Sequence, residues 1–358
     1  MKELNIRHQK PVFIIAEVGV NHNGDIRIAK ELIDAGNGAM ADAIKFQTWK
    51  TDNIAIRSSE KALYQKEAPG DDGTQYEMLK KLELNYEAFF ELNKYASERG
   101  VLFISTPDDE ESADFLVHIG VPFFKIGSGE ITNLAFLRHV AVKGKPIIIS
   151  TGMSSLGEVE KAVAVIKDAQ AEVETGELVL GNFVIPPLTL LHCVSSYPSP
   201  AEDSNLKVIP IMSAAFGLPV GYSDHSEDIA VTLAAVALGA TIIERHFTLD
   251  RNMQGPDHRS SIEPLAFRKM VKSIRTVEMA LGDGIKRPMP SENGIKPVVR
   301  KTLVAACDIS KEINITPMMI AAKRAGIGIS AEFMHMVVGK KTLRDITKDE
   351  VLEWEMFS

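Results

Sequence analysis

The stretch Pro219-Val-Gly-Tyr-Ser-Asp-His225 decides the fold, because a short apolar run passes directly into a serine, an aspartate and a histidine. The same change from apolar to polar occurs eight times in the first 250 residues, with helix-compatible stretches between the runs. The runs are Val12–Ala16, Ala43–Phe46, Val101–Ile104, Pro122–Ile126, Pro146–Ser150, Leu188–Leu191, Pro219–Gly221 and Thr241–Ile243. A strand followed by a helix, repeated eight times, predicts an α/β fold, the (β/α)8 TIM barrel, with its chemistry at the C-terminal ends of the strands.

The composition indicates a soluble globular protein and excludes several classes of function. Of the 358 residues, 45% are hydrophobic and 25% are charged, and the formal net charge is −8. No dense basic face offsets that charge, so we expect no nucleic-acid partner. The apolar stretches are too short to cross a membrane, and the polar N-terminus does not resemble a signal peptide. With only two cysteines, Cys193 and Cys307, we expect a cytoplasmic protein without a structural disulfide.

Changes in composition divide the chain into a large and a small domain. We assign residues 1–282 to the barrel, residues 283–297, which are rich in proline, to a linker, and residues 298–358 to a small domain. In the small domain, the alternating runs Thr302–Ala306 and Met336–Gly339 predict short strands.

Two segments are longer than a minimal barrel needs. The segment Lys50–Asn85 contains Pro69-Gly-Asp-Asp-Gly73, which predicts a surface loop and is a candidate lid. The segment Ala171–Pro187 is a second insertion, for which the sequence indicates no function.

Two histidines at the ends of predicted strands form a candidate metal site. His225 closes Gly-Tyr-Ser-Asp-His, and His246 lies in Ile-Glu-Arg-His-Phe. Neighbouring strands of a parallel barrel place such residues within reach of one ion, with oxygen atoms completing its coordination. The alternative is two unrelated histidines, one of them a structural hydrogen-bonding residue. His22, just past the first strand, would face a substrate or cap a turn.

Two lysines inside apolar strands form a candidate anion site. Lys45 and Lys125 are unfavourable at such positions unless each meets an anion or a carboxylate. The hydroxyl groups of Thr106, Ser128 and Ser223 would complete a cradle for a phosphate or a carboxylate. Two alternatives remain: a Schiff-base lysine, as in barrel aldolases, or lysine side chains that only reach water at the rim.

Carboxylates and a tyrosine complete the set of candidate residues, which are Glu17, Glu130, Glu244, Asp257 and Tyr197. Each carboxylate could act as a base, orient a metal-bound water or bind sugar hydroxyls, or it could simply pair with Lys45 or Arg245. Glu17 and Glu130 are the strongest candidates, because each follows its strand directly within a dense polar motif. The chain has neither a P-loop nor a dinucleotide-binding glycine motif after the first strand, so nucleotide chemistry is not expected.

Ten motifs, in their order along the chain, resemble the sialic acid synthase family, which includes N-acetylneuraminate, legionaminate and related nonulosonate synthases. They are Ile15–Gly24, Lys45–Thr48, Ser105–Pro107, Phe124–Glu130, Ser150–Met153, His192–Pro198, Gly221–His225, Glu244–Thr248, Gly255–Asp257 and Lys323–Gly326. The resemblance implies a barrel that condenses phosphoenolpyruvate with an N-acylated mannose-type sugar and releases phosphate. It also implies that residues 298–358 form a mostly-β antifreeze-like (SAF, β-clip) domain, which covers the partner's site in a domain-swapped homodimer.

The resemblance also implies a role for each candidate residue. Phosphoenolpyruvate would be bound by Lys45, Thr106, Lys125, Ser128, Ser195 and Ser223. The sugar would be bound by Glu17, Gln47, Tyr197 and Asp257, with Arg324 of the partner subunit on its N-acyl group. His225 and His246 would hold Mn²⁺ or Mg²⁺. Glu17, Lys125 and Glu130 would be catalytic, and Glu130 would position or deprotonate a water molecule.

Two residues depart from the family pattern. Asp108 stands where the family has phenylalanine, and Ser195 replaces an asparagine of the neuraminate-type enzymes. The sugar itself stays open between N-acetylmannosamine and 2,4-diacetamido-2,4,6-trideoxymannose, although Asp109–Leu116 and Ile131–Leu134 resemble the legionaminate branch. The alternative functions are a Schiff-base aldolase or lyase that uses Lys125 and a non-enzymatic sugar- or ice-binding protein.

Overall fold

The computed structural model describes residues 11–62, 65 and 73–358, which form two compact units that divide between Asp283 and Gly284. The first ten residues and residues 69–72 of the candidate lid lie outside the described residues. Among the helices that are described, none has both the length and the apolar character needed to cross a membrane.

Eight parallel strands of the first unit form one closed sheet. The strands of this unit are β1 (Phe13–Gly19), β2 (Ala43–Thr48), β3 (Leu102–Pro107), β4 (Phe124–Ile126), β5 (Ile147–Ser150), β6 (Leu178–Leu180), β7 (Phe183–Ile185), β8 (Leu188–Cys193), β9 (Val220–Asp224) and β10 (Ile242–His246). All except β6 and β7 lie in the order β3-β2-β1-β10-β9-β8-β5-β4. Strands β3 and β4, at the two ends of that order, pack side by side. The predicted TIM barrel is therefore confirmed.

The strands extend past the apolar runs at their C-terminal ends. Strand β1 includes Glu17, β9 includes Ser223 and Asp224, and β10 ends on His246. Glu17, Ser223 and His246 face the interior, which opens at the C-terminal mouth, because alternate residues of a barrel strand point inward.

Helices surround the barrel. They are α1 (Ile26–Gly38), α2 (Thr51–Ile54), α3 (Gln75–Leu82), α4 (Tyr86–Glu98), α5 (Glu110–Ile119), α6 (Leu134–Ala141), α7 (Leu156–Glu172), α8 (Val208–Phe216), α9 (Ile229–Ala237) and α10 (Pro264–Leu281). Their ends follow local chemistry. Ser155 and Glu158 form a capping box at the start of α7. Asp109 accepts the Ser112 N–H at the start of α5, and Gly120 ends that helix with a φ of 84°.

The segment Ala171–Pro187 closes the N-terminal end of the barrel. Strands β6 and β7 form an antiparallel hairpin with a two-residue turn, in which Gly181 takes a φ of 57°. Phe183 packs edge-on against Phe13 at the start of β1, with ring centroids 5.1 Å apart. Ile185 is buried in the same cluster. The hairpin therefore covers the apolar interior at the end opposite the polar mouth.

The second unit has its own core. It contains α11 (Lys296–Val299), the antiparallel strands β11 (Thr302–Ala305) and β12 (Ile320–Lys323), and α12 (Met334–Val337). The buried core residues are Leu303, Ala305, Ile309, Ile315, Ile320, Ile329, Val337, Ile346, Leu352, Met356 and Phe357. Within the predicted linker lie a short 3-10 turn, Pro290–Glu292, and the start of α11.

The strand predicted over Met336–Gly339 is wrong, because these residues form the end of α12 and the turn that follows it. Val337 is buried and Met336 is exposed. Such an alternation over two residues also arises on a short amphipathic helix, so it cannot distinguish the two structures. Gly339 has a φ of 87°, a conformation that turns the chain away from the helix.

Candidate active site

Side chains from six barrel strands meet at the mouth of the barrel. They are Glu17 of β1, Lys45 and Gln47 of β2, Thr106 of β3, Lys125 of β4, Ser223 of β9, and Glu244 and His246 of β10. All of them except Gln47 are buried. The strand alternation thus brings together the candidate residues of these six strands.

Two lysines and two glutamates form a buried ionic cluster at this mouth. Lys45 Nζ lies 2.9 Å from Glu17 Oε2 and 3.7 Å from Glu244 Oε2. Lys125 Nζ lies 3.5 Å from the other oxygen of Glu244. Lys45 also donates to Thr106 Oγ1 at 3.1 Å. Because each lysine meets a carboxylate, the charges are compensated, and Glu244 joins the two lysines.

Burial and pairing shift the pKa values of this cluster in different directions. Burial raises the pKa of Glu17 to about 7, against the opposing charge of Lys45. Burial also lowers the pKa of Lys125, and the charge of Glu244 offsets that only in part. For Lys45, burial acts against the charged form, but Glu17 and Glu244 outweigh it and raise the pKa. Within this cluster, the Glu17 carboxyl is thus the group whose pKa is brought near neutral pH.

Lys125 has further partners that the sequence did not single out. Its Nζ donates to Ser150 Oγ at 2.8 Å and to the Ile126 carbonyl at 3.0 Å. Ser150 is the last residue of β5, and its place at a strand end was the signal that could have identified it.

The two candidate metal ligands lie side by side, with ring centroids 5.4 Å apart. His225 Nδ1 lies 2.6 Å from the Val194 carbonyl, which can only accept, so Nδ1 carries the proton and Nε2 keeps its lone pair. His246 Nδ1 is buried without a hydrogen-bond partner among the described residues, 3.6 Å from Asp257 Oδ2. Burial lowers the pKa of both histidines, so both rings are neutral, which is the form that binds metals.

These two imidazoles fit a divalent cation that takes its other ligands from water or substrate. In the part of the chain that the structure describes, no three His, Cys, Asp or Glu side chains form a ready-made metal cage. The described residues therefore supply two side-chain ligands and no third, and an open coordination shell is typical of catalytic rather than structural sites. Asp257 beside His246 Nδ1 suits a carboxylate that orients a metal-binding imidazole.

Of the residues expected to face a sugar, Tyr197 and Asp257 lie beside the histidines, and Gln47 lies beside Glu17. The Tyr197 ring centroid lies 4.2 Å from that of His225 and 5.4 Å from that of His246. Gln47 donates to Glu17 Oε1 at 3.0 Å. Asp257 is buried, and burial raises its pKa to about 6.

Ser128 and Ser195 converge on the backbone of Gly152. The Gly152 N–H donates to Ser128 Oγ at 3.0 Å, and Ser128 Oγ lies 3.1 Å from Cys193 Sγ. A Cβ atom on Gly152 would lie 2.3 Å from Ser195 Oγ and 2.9 Å from Ser128 Oγ. Any side chain at this position would displace the two hydroxyls, because it would fill the space between them.

Glu130 and Asp108 lie at the rim. Glu130 is half-buried and accepts from Asn133 Nδ2 at 2.8 Å. Burial raises the pKa of Asp108 to about 7 against the charge of Lys45, and the charge of Glu130 adds to the rise. Asp108 therefore brings a carboxyl group, rather than an aromatic ring, to this side of the mouth.

Arg324 belongs to the second unit. It is an exposed residue directly after β12 in the second unit. Its expected role depends on a second subunit.

A polar mouth on a parallel barrel, followed by a small β-containing unit, defines a class of two-domain barrel enzymes. The model of the NeuB family matches residues 32–286, and that of the SAF domain matches residues 300–358. The chain belongs to the NeuB family, and its C-terminal part is a SAF domain. The resemblance seen in the ten motifs is confirmed.

Relatives with known names cover nearly the whole chain. The N,N'-diacetyllegionaminic acid synthase of Legionella pneumophila is 43% identical over 343 residues, 96% of this chain and 94% of the relative. The N-acetylneuraminate-9-phosphate synthase of Homo sapiens is 35% identical, over 97% and 93% of the two chains. The solved structure of the N-acetylneuraminic acid synthetase from Leptospira borgpetersenii, in complex with citrate, matches with a TM-score of 0.67 at 36% identity, over 80% of this chain and 90% of that one. The expectation of a synthase is therefore confirmed at the level of the family.

Proposed function

We propose that this enzyme is a nonulosonic acid synthase that condenses phosphoenolpyruvate with 2,4-diacetamido-2,4,6-trideoxymannose, the sugar of the legionaminate branch. The buried Lys45–Glu17–Glu244–Lys125 cluster next to two neutral histidines carries the proposal. The identity of 43% to a legionaminic acid synthase, against 36% to an N-acetylneuraminic acid synthetase, supports this sugar over N-acetylmannosamine.

Phosphoenolpyruvate is held by the lysines and the nearby hydroxyls. Lys45 and Lys125 supply positive charge. Their ammonium groups pair with the carboxylate and phosphate of the substrate as well as with Glu17 and Glu244. Thr106 and Ser223 donate at the base of the site, while Ser128 and Ser195 donate to the phosphate over the open backbone of Gly152. This arrangement orients the enol carbon of the substrate toward the histidines.

His225 and His246 would hold a divalent cation, Mn²⁺ or Mg²⁺. When bound, the cation acts as a Lewis acid toward the aldehyde of the open-chain sugar. The Val194 carbonyl fixes the His225 ring through a hydrogen bond, and Asp257 places a carboxyl group 3.6 Å from His246 Nδ1. Tyr197, which is tilted against the His225 ring and edge-on to the His246 ring, limits where the aldehyde can lie.

The overall reaction balances as phosphoenolpyruvate, aldehyde and one water giving a 2-keto acid and inorganic phosphate. A carbon–carbon bond forms between the nucleophilic enol carbon, which is the methylene carbon of phosphoenolpyruvate, and the aldehyde carbon, whose oxygen gains a proton. Water adds to the neighbouring carbon that carries the phosphate oxygen. The bond from that carbon to the phosphate oxygen then breaks, and the new hydroxyl loses its proton to form the ketone. Glu130, held by Asn133, accepts the proton of the attacking water. Ser128 and Ser195 stabilise the departing phosphate.

The sugar is bound by the remaining residues of the mouth and by a second subunit. Glu17, Gln47, Tyr197 and Asp257 orient its hydroxyl groups, and Arg324 of the partner subunit donates to the N-acyl oxygen. Guanidinium presents a planar donor pair that suits an acyl oxygen. The working unit is thus a homodimer in which the SAF domains are exchanged, and we place it in the cytoplasm.

The test is an assay of phosphate release from phosphoenolpyruvate with each of the two sugars. Turnover should depend on an added sugar, be faster with the diacetamido sugar, and stop reversibly with a chelator. Full activity after chelation, with no metal found by elemental analysis, would exclude the metal role. Trapping of a sugar adduct on Lys125 by borohydride, without phosphate release, would instead establish the Schiff-base lyase, for which the lowered pKa of Lys125 is the one favourable observation.

A further inference from the structure

A second buried ion pair lies directly behind the two histidines. Asp224 and Arg245 precede His225 and His246 in sequence, and they face each other in register across β9 and β10. Their side chains contact Thr232 of α9, so they lie on the outer side of the barrel. Asp224 is 1% exposed and Arg245 is 3% exposed.

Nearly every donor and acceptor of this pair is used. Arg245 Nη1 donates to Asp224 Oδ2 at 2.9 Å and to Thr232 Oγ1 at 3.1 Å. Its Nη2 donates to the carbonyls of Ser226 and of Glu227, the latter at 3.1 Å. Asp224 Oδ1 accepts the backbone N–H of Ser226 at 2.8 Å and its hydroxyl at 2.6 Å.

This network restrains the backbone on both sides of His225. Strand β9 ends at Asp224, so the sheet ladder does not hold His225 itself. Asp224 before it and Ser226 after it are both bonded to Arg245, which is the neighbour of His246 on β10. One guanidinium thus joins the segment that carries one imidazole to the strand that carries the other.

We propose that Arg245, together with Asp224, is a positioning residue that sets the separation of the His225 and His246 rings and so determines the affinity for the divalent cation. The proposal rests on the metal site of the proposed function. Lysine at this position cannot serve the same purpose, because an ammonium group lacks the planar fork that reaches a carboxylate and two carbonyls at once.

The chain offers a matched control at the opposite end of the barrel. Arg275 of α10 donates to the Val12 carbonyl at 2.8 Å and to Glu278 at 3.0 Å, and it lies 3.3 Å from Asp42. An Arg275→Lys variant disturbs an ion-pair network of the same kind near the N-terminal ends of β1 and β2, with the Arg275 side chain 30% exposed against 4% for Arg245. A general loss of stability would therefore appear in both variants, whereas a positioning effect would appear only with Arg245→Lys.

The experiment is a titration of the full-length chain with Mn²⁺ alone, with free Mn²⁺ read from its electron paramagnetic resonance signal. We expect Arg245→Lys and Asp224→Asn to bind Mn²⁺ about 10- to 100-fold more weakly, the range for residues that orient metal ligands. Arg275→Lys should match the wild type. Circular dichroism identifies folded variants, and Thr232→Val, which removes one hydroxyl at nearly constant volume, gives a milder probe with a smaller loss of affinity.

His225→Ala separates the two proposals. If His225→Ala binds Mn²⁺ like the wild type, the metal site of the proposed function is wrong. If His225→Ala loses Mn²⁺ while folded Arg245→Lys and Thr232→Val bind it like the wild type, the metal site stands and the positioning role is overturned. An equal loss in Arg275→Lys and Arg245→Lys would also overturn it, because the effect would then be one of stability.

Discussion

At the scale of single residues, the mouth of the barrel is distinguished by charged side chains that are buried from water. Lys45, Lys125, Glu17 and Glu244 are all buried, and each charge has an opposite charge within 4 Å. A buried pair of this kind contributes little net stability, because desolvation offsets the attraction. The presence of this charged cluster at the mouth of the barrel is better explained by a role in binding an anionic ligand than by a contribution to the stability of the fold.

Replacing Lys45 with methionine should weaken phosphoenolpyruvate binding much more than sugar binding. The change keeps most of the side-chain volume and removes one charge-assisted hydrogen bond, a loss of about 1.5–3 kcal/mol. Isothermal titration with phosphoenolpyruvate measures it, and Lys94→Met, at an exposed lysine on α4, is the control. Unchanged phosphoenolpyruvate affinity in Lys45→Met would remove Lys45 from the binding site.

A buried histidine near the mouth should make stability depend on pH. Burial lowers the pKa of His22 from 6.5 to about 4, so the folded state keeps this ring neutral. The unfolded chain binds the proton first, so this contribution is fully present above pH 6.5 and is lost as the pH falls toward 4. The shift corresponds to about 3 kcal/mol.

The measurement compares urea unfolding of the wild type and of His22→Asn between pH 7 and pH 4.5. Asparagine can still accept the Gly24 N–H that His22 Nδ1 accepts at 3.0 Å. Other groups titrate in both proteins, so the relevant quantity is the difference between their free energies of unfolding at each pH. The variant should lose less stability on acidification, while His118→Asn, at an exposed position, should follow the wild type. Parallel pH profiles for wild type and His22→Asn would contradict the prediction.

At the scale of secondary-structure elements, the two ends of the barrel have different tasks. The strand ends at the mouth carry polar side chains, while the opposite end is filled by apolar side chains and covered by the β6–β7 hairpin. The sequence indicated no function for the insertion that contains this hairpin. Its packing shows that it shields the apolar interior from water. Stability and chemistry are thus separated along the barrel axis.

Replacing Phe183 with alanine should destabilise the barrel without changing its chemistry. The half-buried ring packs edge-on against Phe13, so its loss should lower the free energy of unfolding by about 2 kcal/mol. Urea denaturation gives this value, and phosphate release should be unchanged at moderate temperature. Val179→Ala, at an exposed position of the same hairpin, is the control. Equal stabilities of the two variants would show that the hairpin does not close the barrel.

At the scale of the whole molecule, the proposed site needs two subunits. The barrel carries the lysines and histidines, and Arg324 lies at the surface of the SAF domain. In a closed two-fold dimer, one barrel can be completed by the domain of the other subunit.

Mixing inactive Lys45→Ala and Arg324→Ala chains should restore activity. A mixed dimer has one site with an intact barrel and an intact Arg324, and its other site carries both changes. With random exchange of subunits, half of the dimers are mixed, so about a quarter of the wild-type turnover should return. Tagged chains show by co-purification whether mixed dimers form. Mixed dimers that stay inactive would contradict the shared site.

The sequence by itself determined the barrel and the candidate residues at its mouth, because strand and helix periodicity are local and strand ends carry the chemistry in this fold. Only the tertiary structure decided that Glu244 joins the two lysines, that Ser150 holds Lys125, and that Arg245 holds the segment of His225. These contacts join residues from different strands, and their register and side-chain directions are set by the closed sheet. The error over Met336–Gly339 also arose because the sequence is local information. A short alternating run has no local feature that separates a strand from a helical turn, so tertiary contacts decide between them.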